Sequence, residues 1–231
     1  MKAAVLHHVG GPLVIEDVEL DEPWPNEVIV RTFGCGVCHS DLHFIDGHYG
    51  VDFPVVLGHE ASGIVESVGS DVDYVQPGDH VIACMSVFCG DCNYCSSGRP
   101  YLCMDPSVRR KESDDSRIRF NGERITQLYE LGAFAEKILV HESALVKIRE
   151  DMPLDRAALI GCAVTTGFGA VTNTAKMPSG ATVAVVGCGS DPRRRPRREL
   201  GHPPPRGPPG AGAGGHAAEA RPRARARPGG A

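Results

Sequence analysis

Apolar residues cluster in short segments of five to nine residues along the first 150 positions, which is the length of typical strands. β-branched residues are frequent in these segments, and Gly, Pro and Asn separate them. The pattern predicts strands at residues 2–6, 13–19, 27–34, 61–69, 80–84, 133–140 and 144–148. The first part of the chain is therefore predicted to be rich in β-structure with short connections.

The pattern changes after Pro153. Residues 154–175 have a helical composition, and a continuous apolar run follows at 182–187. A strand that is apolar on both faces is typical of a parallel sheet covered by helices. We therefore predict that an α/β region begins here, after the β-rich part.

The composition changes again after residue 190. Residues 191–231 contain ten Arg, nine Pro, eight Gly and eight Ala, and Leu200 is their only large apolar side chain. Such a segment cannot bury enough apolar area to offset the entropy of ordering it, so we predict a disordered tail. The tail carries a net charge of +7, which leaves −12 for residues 1–190.

These properties exclude several classes of protein. No apolar stretch approaches the roughly 18 residues of a membrane-spanning helix. The N-terminal apolar run is too short for a signal peptide. We therefore expect a cytoplasmic protein without membrane contact.

Nine cysteines lie in residues 1–190, and four of them form one closely spaced series. Two residues separate Cys89 from Cys92 and Cys92 from Cys95, and seven separate Cys95 from Cys103. Four thiolates at about 2.3 Å from the ion make a closed tetrahedral zinc site. An iron–sulfur cluster uses similar spacings, and a set of buried thiols is the plainer alternative. We predict a structural zinc lobe at residues 89–103.

Three further segments hold possible zinc ligands next to or near glycine. They are Gly36-Val-Cys-His-Ser-Asp-Leu-His43, Gly58-His-Glu-Ala-Ser-Gly63 and Gly161-Cys-Ala-Val-Thr-Thr-Gly167. With the four-cysteine series between the second and the third, this order resembles the zinc-dependent medium-chain alcohol dehydrogenases. The resemblance covers about residues 1–190, and the long segment after Cys103 is similar to the liver-type and bacterial long forms.

The resemblance implies a fold and an activity. Residues 1–163 would form a β-rich GroES-like catalytic domain, and residues 164–190 would be the start of an α/β Rossmann domain, followed by the disordered tail 191–231. The family oxidises an alcohol to an aldehyde or ketone with hydride transfer to NAD or NADP. The implied partners are a small alcohol or aldehyde and, for the full-length form, further copies in a homo-oligomer.

The resemblance also implies two zinc ions per chain. Cys38, His59 and Cys162 would hold a catalytic ion with one position open, and the carboxylate of Glu60 would approach it. Two cysteines and one histidine around an open position suit Lewis-acid chemistry on an alcohol. The second ion would be structural and held by Cys89, Cys92, Cys95 and Cys103.

Five more residues resemble functional positions of the family. Ser40 would take the alcohol proton, His43 would deliver it to water, and Asp41 would orient the histidine ligand. A helix cap is the alternative for Ser40 and Asp41, and a solvated surface side chain is the alternative for His43. His39 would contact the cofactor pyrophosphate, and Thr166 would pack on the nicotinamide.

The sequence departs from the family at the turn that binds the dinucleotide. Gly187 and Gly189 match the first two glycines of G-x-G-x-x-G, but Pro192 occupies the third position. A shifted reading frame over residues 193–203 can restore a glycine-rich turn, so we interpret the tail as a frame slip, with natural truncation as the alternative. Because most of the cofactor domain is missing, we expect the chain as written to be inactive.

Three other functions are open at this point. The same motifs serve a thiol-adduct formaldehyde dehydrogenase, and a zinc-binding module without catalysis would hold the same metals. The arginine-rich tail would suit a nucleic-acid-binding arm. Because the tail has no aromatic residue and residues 1–190 are acidic, we expect no nucleic-acid partner.

Overall fold

A computed structural model describes residues 1–111 and 113–186. The strands are β1 (Lys2–Leu6), β2 (Leu13–Asp17), β3 (Glu19–Leu20), β4 (Glu27–Gly36), β5 (Val55–Val56), β6 (Glu60–Val68), β7 (His80–Ala83), β8 (Ile118–Phe120), β9 (Glu123–Arg124), β10 (Thr126–Gln127), β11 (Lys137–His141) and β12 (Leu145–Lys147). The α-helices are α1 (His39–Ile45), α2 (Asn93–Ser96), α3 (Leu154–Ala157) and α4 (Ala163–Gly169). Short 3-10 turns lie at Pro100–Leu102, Pro106–Val108, Leu128–Glu130, Glu142–Ala144 and Ala158–Gly161, and a π-helical segment at Ala170–Thr174.

The strands form three sheets. The largest has the order β11-β4-β6-β7-β12, and all its neighbours are antiparallel. A four-stranded sheet has the order β10-β5-β1-β2, and a three-stranded sheet has the order β3-β8-β9. The β-rich architecture predicted for this part of the chain is confirmed.

Burial does not alternate along β4 and β11 of the five-stranded sheet, since residues 27–30 of β4 and 138–140 of β11 are all buried. In β4, Val28 and Val30 are buried, and in β11 Ile138 and Val140 join the same apolar cluster. β-branched side chains are favoured at such positions because they pack well on a pleated surface. The N-terminal sheet has a separate apolar cluster that includes Val5.

Antiparallel pairing brings three strand ends to one edge of the five-stranded sheet. Gly36 at the end of β4 lies opposite Glu60 at the start of β6. β7 is antiparallel to β6, so its last residue, Ala83, also lies at this edge. Gly161 approaches the Ala83 carbonyl so closely that a Cβ atom at this position would overlap it. The sheet therefore collects the segments that carry Cys38, His59 and Cys162.

Most predicted strands are confirmed, with shifts at their ends. The strand expected at 133–140 begins only at Lys137, although Ala135 makes an isolated bridge to Ala3. The sequence prediction lacks β5, β8, β9 and β10, since strands of two or three residues are too short to show alternation.

The prediction of a buried strand at 182–187 is wrong for the part of that run that is described. Residues 181–186 form no regular secondary structure, and Val183 is 48% exposed. A parallel strand needs neighbours for its backbone hydrogen bonds, and none of the described strands pairs with this segment. The helical region 154–175 is confirmed, as short pieces interrupted at Cys162.

One compact unit spans Met1–Ala184, and only Val185 and Val186 are described after it. The predictions for Gly187, Gly189 and the tail 191–231 lie outside the described residues. Among the described helices, none by itself has the length and apolar composition of a membrane span. Leu154–Gly161 and Ala163–Thr174 meet the criterion only as a pair, across a bend of 49°.

Candidate metal centres

The four-cysteine series forms one compact cluster of free thiols. The Sγ–Sγ distance is 3.5 Å between Cys92 and Cys95 and 3.7 Å between Cys89 and Cys103. The distances from Cys89 to Cys95 and from Cys92 to Cys103 are both 3.9 Å. A tetrahedral ion with bonds of about 2.3 Å separates its sulfur ligands by about 3.8 Å. The sulfur positions therefore fit a zinc ion.

Local backbone geometry produces this cluster. Gly90 and Gly98 have φ values of +89° and +76°, which let the chain reverse direction. The Cys92 amide donates to the Cys89 sulfur, and the Cys89 amide donates to the Cys103 sulfur, each at 3.4 Å. Such donors stabilise the thiolate form that binds a metal.

A second cluster lies at the sheet edge described above. Its side chains are two half-buried thiols, a buried imidazole and a buried carboxylate, whose ligand atoms all lie within 4.8 Å of one another. They belong to Cys38, His59, Glu60 and Cys162. This donor set suits a divalent transition metal. The structure thus brings together all four residues that the sequence assigned to one centre.

Asp41 fixes the start of α1 and also faces the histidine of this cluster. Its Oδ2 accepts a hydrogen bond from the Cys38 amide at 3.0 Å, and its Oδ1 accepts one from the Gly58 amide at 3.2 Å. Oδ1 also lies 3.3 Å from His59 Nδ1, without the alignment of a hydrogen bond. The sequence left two alternatives for Asp41, a helix cap or a partner of the histidine. In the structure the same carboxylate caps α1 and faces His59.

The surroundings of His59 favour positive charge. Burial alone would lower the pKa of His59, but the Asp41 carboxylate and the Cys38 thiolate outweigh burial and raise it. Because Nδ1 faces Asp41, Nε2 is the nitrogen that is left for a metal ion.

The two thiols of the second cluster differ in their pKa shifts. Burial opposes ionisation of Cys38, but the amide and hydroxyl of Ser40 together with His59 outweigh it and lower the pKa. Burial and the negative charges of Cys38 and Glu60 raise the pKa of Cys162 to about 12. Three acidic groups thus repel one another in a small space, and a divalent cation would relieve that repulsion. The cluster therefore fits the zinc ion that the sequence implies.

The remaining predicted residues lie at different positions around this cluster. The Cys38 thiol donates to Ser40 Oγ at 3.6 Å. Cys38 is the N-cap of α1, so the capping alternative for Ser40 is wrong. His39 and His43 lie on α1 with ring centres 4.7 Å apart, and Thr166 is exposed on α4.

The sequence analysis missed Tyr129, whose ring packs edge-on against His59 with centres 5.4 Å apart. Tyr129 and Glu130 have φ values of +54° and +62°, which non-glycine residues rarely adopt. Burial and the nearby negative groups raise the pKa of Tyr129. No motif marks this tyrosine in the sequence, because its backbone conformation and its contact with His59 arise only in the fold.

The fold is shared with zinc-binding dehydrogenases of known structure. An alcohol dehydrogenase zinc-binding domain protein from Burkholderia ambifaria is 34% identical, with a TM-score of 0.69 over 75% of this chain and 48% of that chain. Benzyl alcohol dehydrogenase from Acinetobacter calcoaceticus is 31% identical, with a TM-score of 0.67 over 74% of this chain and 47% of that chain. The chain therefore has the fold of part of these dehydrogenases.

The chain belongs to the alcohol dehydrogenase GroES-like domain family, whose sequence profile matches residues 24–150. It is 44% identical over 198 residues to alcohol dehydrogenase class-3 of Zea mays, and the matched region covers 82% of this chain and 51% of the relative. It is 40% identical over 190 residues to putative alcohol dehydrogenase D of Mycobacterium tuberculosis. That match covers 81% of this chain and 52% of the relative. The chain thus spans about half the length of the curated relatives it matches.

Proposed function

We propose that the described residues form the metal-binding and substrate-binding side of a zinc-dependent alcohol dehydrogenase. The observation that carries the proposal is the convergence of the Cys38, His59, Glu60 and Cys162 ligand atoms at one sheet edge. Membership of the family supports it. The substrate would be a small alcohol, with the corresponding aldehyde or ketone as product.

The chain's own residues have distinct parts in this proposal. A zinc ion held by Cys38, His59 and Cys162 would supply Lewis-acid polarisation of an alcohol oxygen. Asp41 would hold the imidazole ring at Nδ1 and leave the opposite nitrogen for the metal. The Ser40 hydroxyl would take the alcohol proton.

The outer part of the proton path is assigned to His43. This side chain lies on α1 and is half-buried, so part of it remains accessible to solvent. We propose that His43 passes the proton from Ser40 to solvent, as a general base whose effect is about 10²–10⁴-fold.

A second zinc ion is proposed for the four-cysteine lobe. Its ligands are Cys89, Cys92, Cys95 and Cys103, and their sulfur spacing supports a tetrahedral site. Four protein ligands leave no position for substrate, so this ion would stabilise the lobe and take no part in the reaction.

The hydride acceptor in this proposal is NAD or NADP, with His39 and Thr166 as contact residues. A related dehydrogenase from Sinorhizobium meliloti, 30% identical with a TM-score of 0.52, is described as bound to NADP. No strand–turn–helix unit of the dinucleotide-binding type occurs within residues 1–111 and 113–186. We therefore propose that the 231-residue chain alone does not reduce NAD, since positioning of the reactants can contribute about 7–11 kcal/mol to the barrier.

The metal assignment is tested by elemental analysis of protein purified without chelator. We expect two zinc ions per chain, and one each in Cys38→Ser and Cys95→Ser. Cys84→Ser is the matched control, because Cys84 belongs to neither cluster and should leave two ions. One ion or none in the unsubstituted chain, or an unchanged content in Cys38→Ser, would contradict the assignment.

The activity is tested with a panel of primary and aromatic alcohols and NAD. The chain as written should give no turnover above background. A form with the reading frame restored after Gly189 should give zinc-dependent turnover that His59→Ala abolishes and His43→Gln lowers less severely. Turnover by the intact 231-residue chain, verified by mass, would overturn the claim that the chain alone is inactive.

A second candidate comes from two relatives whose names give a different activity. The chain is 43% identical over 197 residues to S-(hydroxymethyl)glutathione dehydrogenase of Saccharomyces cerevisiae. It is 44% identical over 196 residues to a probable enzyme of that name from Schizosaccharomyces pombe. Formaldehyde oxidation that requires glutathione, with no turnover of simple alcohols by the frame-restored form, would favour this candidate.

A further inference from the structure

Two consecutive residues beside the second cluster, Tyr129 and Glu130, have a backbone conformation that side chains disfavour. Their φ values are +54° and +62°, in the left-handed region that glycine prefers. Such residues persist only where surrounding contacts outweigh the conformational cost, and they are concentrated at functional sites. The contacts that hold this turn therefore decide where the Tyr129 side chain lies.

Buried leucines anchor the turn on both sides. Leu128 packs in the apolar cluster beside α1, and Leu131 packs in the apolar cluster of the five-stranded sheet. The amides of Leu131 and Gly132 both donate to the Leu128 carbonyl, at 3.0 and 3.2 Å. The chain must therefore reverse within the two residues that lie between the leucines.

The Glu130 side chain is held by an arginine that has another, buried partner. Arg117 Nη1 donates to Glu130 Oε2 at 2.6 Å, and Arg117 Nε donates to Glu27 Oε1 at 2.8 Å. The Arg117 and Glu27 side chains are both buried, so the guanidinium group is already fixed from β4. An ion pair with such a preorganised group loses little side-chain entropy when it forms. Arg117 thus fixes the carboxylate of the second left-handed residue.

The first left-handed residue, Tyr129, packs on the imidazole of the second cluster. Its ring lies edge-on to His59, with centres 5.4 Å apart and an interplanar angle of 87°. It also lies edge-on to Phe44 of α1, with centres 5.7 Å apart. Aromatic pairs prefer this arrangement. The His59 ring is therefore confined by Tyr129 as well as by Asp41, which faces Nδ1 at 3.3 Å.

We propose that Arg117 is a positioning residue for the second cluster. Its ion pair with Glu130 holds the left-handed turn, and the turn holds the Tyr129 ring against His59. Without the pair, the turn relaxes, Tyr129 moves away and the His59 ring gains freedom. The link to the metal rests on the proposed function, in which His59 is a zinc ligand. The link from Arg117 to the His59 ring does not, since it consists of contacts within this chain.

NMR of the isotope-labelled 231-residue chain tests the link from Arg117 to His59. The nuclear Overhauser effect between the ring protons of Tyr129 and His59 reports their contact. We expect this effect in the unsubstituted chain and its loss in Arg117→Gln and Glu130→Gln. Arg110→Gln is the matched control, because Arg110 is a buried partner of Glu27 that pairs with Asp21 rather than Glu130.

Circular dichroism establishes that each variant is folded. If Arg117→Gln does not fold, Glu130→Gln decides the test, because the Glu130 side chain is 32% exposed and tolerates substitution more easily. Retention of the Overhauser effect in folded Glu130→Gln, or its equal loss in Arg110→Gln, would overturn the proposal.

A pair of substitutions at Glu130 separates the ion pair from the backbone conformation that it holds. Both Glu130→Gly and Glu130→Ala remove the carboxylate, but only glycine adopts a positive φ without steric cost. Glu130→Gly should therefore keep more of the Overhauser effect than Glu130→Ala. Equal loss in the two variants would overturn the claim that the ion pair acts through the turn.

Zinc retention tests the link to the metal. The relevant ion is the one that Cys38→Ser is expected to lack, and its release to a chelator is followed over time. Release should be faster by about tenfold in Glu130→Gln and in Tyr129→Leu, as when a group that orients a metal ligand is removed. Arg110→Gln should release this ion at the unsubstituted rate.

The outcomes separate this proposal from the proposed function. Loss of the Overhauser effect with unchanged zinc release would overturn the positioning role at the metal. An unsubstituted chain that holds no zinc at the second cluster would overturn the proposed function and, with it, that role. The Overhauser effect would still decide whether Arg117 positions the Tyr129 ring.

Discussion

Glu27 is a buried carboxylate that binds two guanidinium groups at once. Its side chain and those of Arg110 and Arg117 are each 4% exposed. Arg110 also pairs with Asp21 and lies over the Trp24 ring, 4.3 Å from its centre. Without the Glu27 charge, Arg110 keeps one carboxylate partner, Asp21, and Arg117 keeps one, Glu130, so positive charge exceeds negative charge in a medium that solvates it poorly.

The substitution Glu27→Gln tests this network. Because it leaves two buried guanidinium groups with too little negative charge, we expect a loss of about 3–5 kcal/mol in the free energy of unfolding. Urea unfolding measures the change. Asp151→Asn is the control, since it breaks only the exposed Arg149–Asp151 pair and should cost less than about 1 kcal/mol. Equal losses of unfolding free energy in the two variants would show that the buried network stabilises the fold no more than an exposed ion pair does.

A substitution at Gly161 tests whether its close approach to Ala83 is needed to position the second cluster. In Gly161→Ala the new methyl group overlaps the Ala83 carbonyl, so the backbone beside Cys162 must move. We expect a loss of about 1–3 kcal/mol in unfolding free energy and weaker retention of the zinc ion at this cluster. Gly167→Ala is the control, because nothing lies within 4 Å of its added Cβ and alanine favours the helix. Full zinc retention in Gly161→Ala would contradict the close-approach argument.

At the scale of elements, the zinc lobe 89–103 differs from the sheets in what stabilises it. α2 has only four residues, and Tyr94 and Tyr101 are 41% and 65% exposed. A helix of this length is unstable without tertiary support, and in such segments bound metal replaces the missing apolar core. The lobe is therefore expected to unfold locally when metal is removed.

Limited digestion with chymotrypsin tests this expectation. After treatment with a zinc chelator, we expect rapid cleavage at Tyr94 or Tyr101, and the same in untreated Cys95→Ser. Tyr74 is the internal control, because it is 50% exposed in a loop outside the lobe. Cleavage within residues 89–103 that is equally fast with and without zinc would contradict a structural ion.

At the scale of the whole molecule, the Glu27 network joins parts of the chain that are far apart in sequence. It ties β4 to the long segment that follows the lobe and, through Asp21, to the strand pair β3–β8. Burial alone would raise the pKa of Glu27, but Arg110 and Arg117 outweigh burial and lower it. Folding and the ionisation of this carboxylate are therefore linked.

The link predicts how stability changes in acid. A carboxylate with a lowered pKa in the folded state binds its proton more readily in the unfolded chain, where the pKa is about 4.5. Its contribution is therefore complete above that pH and is lost as the pH falls through the folded value. Urea unfolding between pH 7 and pH 3 should show a smaller acid-dependent loss in Glu27→Gln than in the unsubstituted chain. Parallel pH profiles would exclude Glu27 as a source of the acid dependence.

Local sequence patterns predicted much of the fold and pointed to the candidate metal ligands. The apolar and β-branched residues at 2–6 and 27–34 identified β1 and most of β4, because such side chains pack well on a pleated, buried surface. The four-cysteine spacing indicated the lobe for a similar reason, since short gaps limit where the sulfurs can lie. The run at 182–187 misled the prediction, because apolar composition alone does not supply partner strands.

The sequence by itself determined which residues are available as candidate ligands, and the tertiary structure decided how they meet. Strand register places Gly36 opposite Glu60, which brings the segments of Cys38 and His59 to one edge. Contacts such as Tyr129 against His59 depend on how distant segments pack. Apolar segments and ligand spacing are local properties that a sequence displays directly. Convergence of distant segments depends on the register, twist and burial of the whole chain, and these are set only when the sheets form.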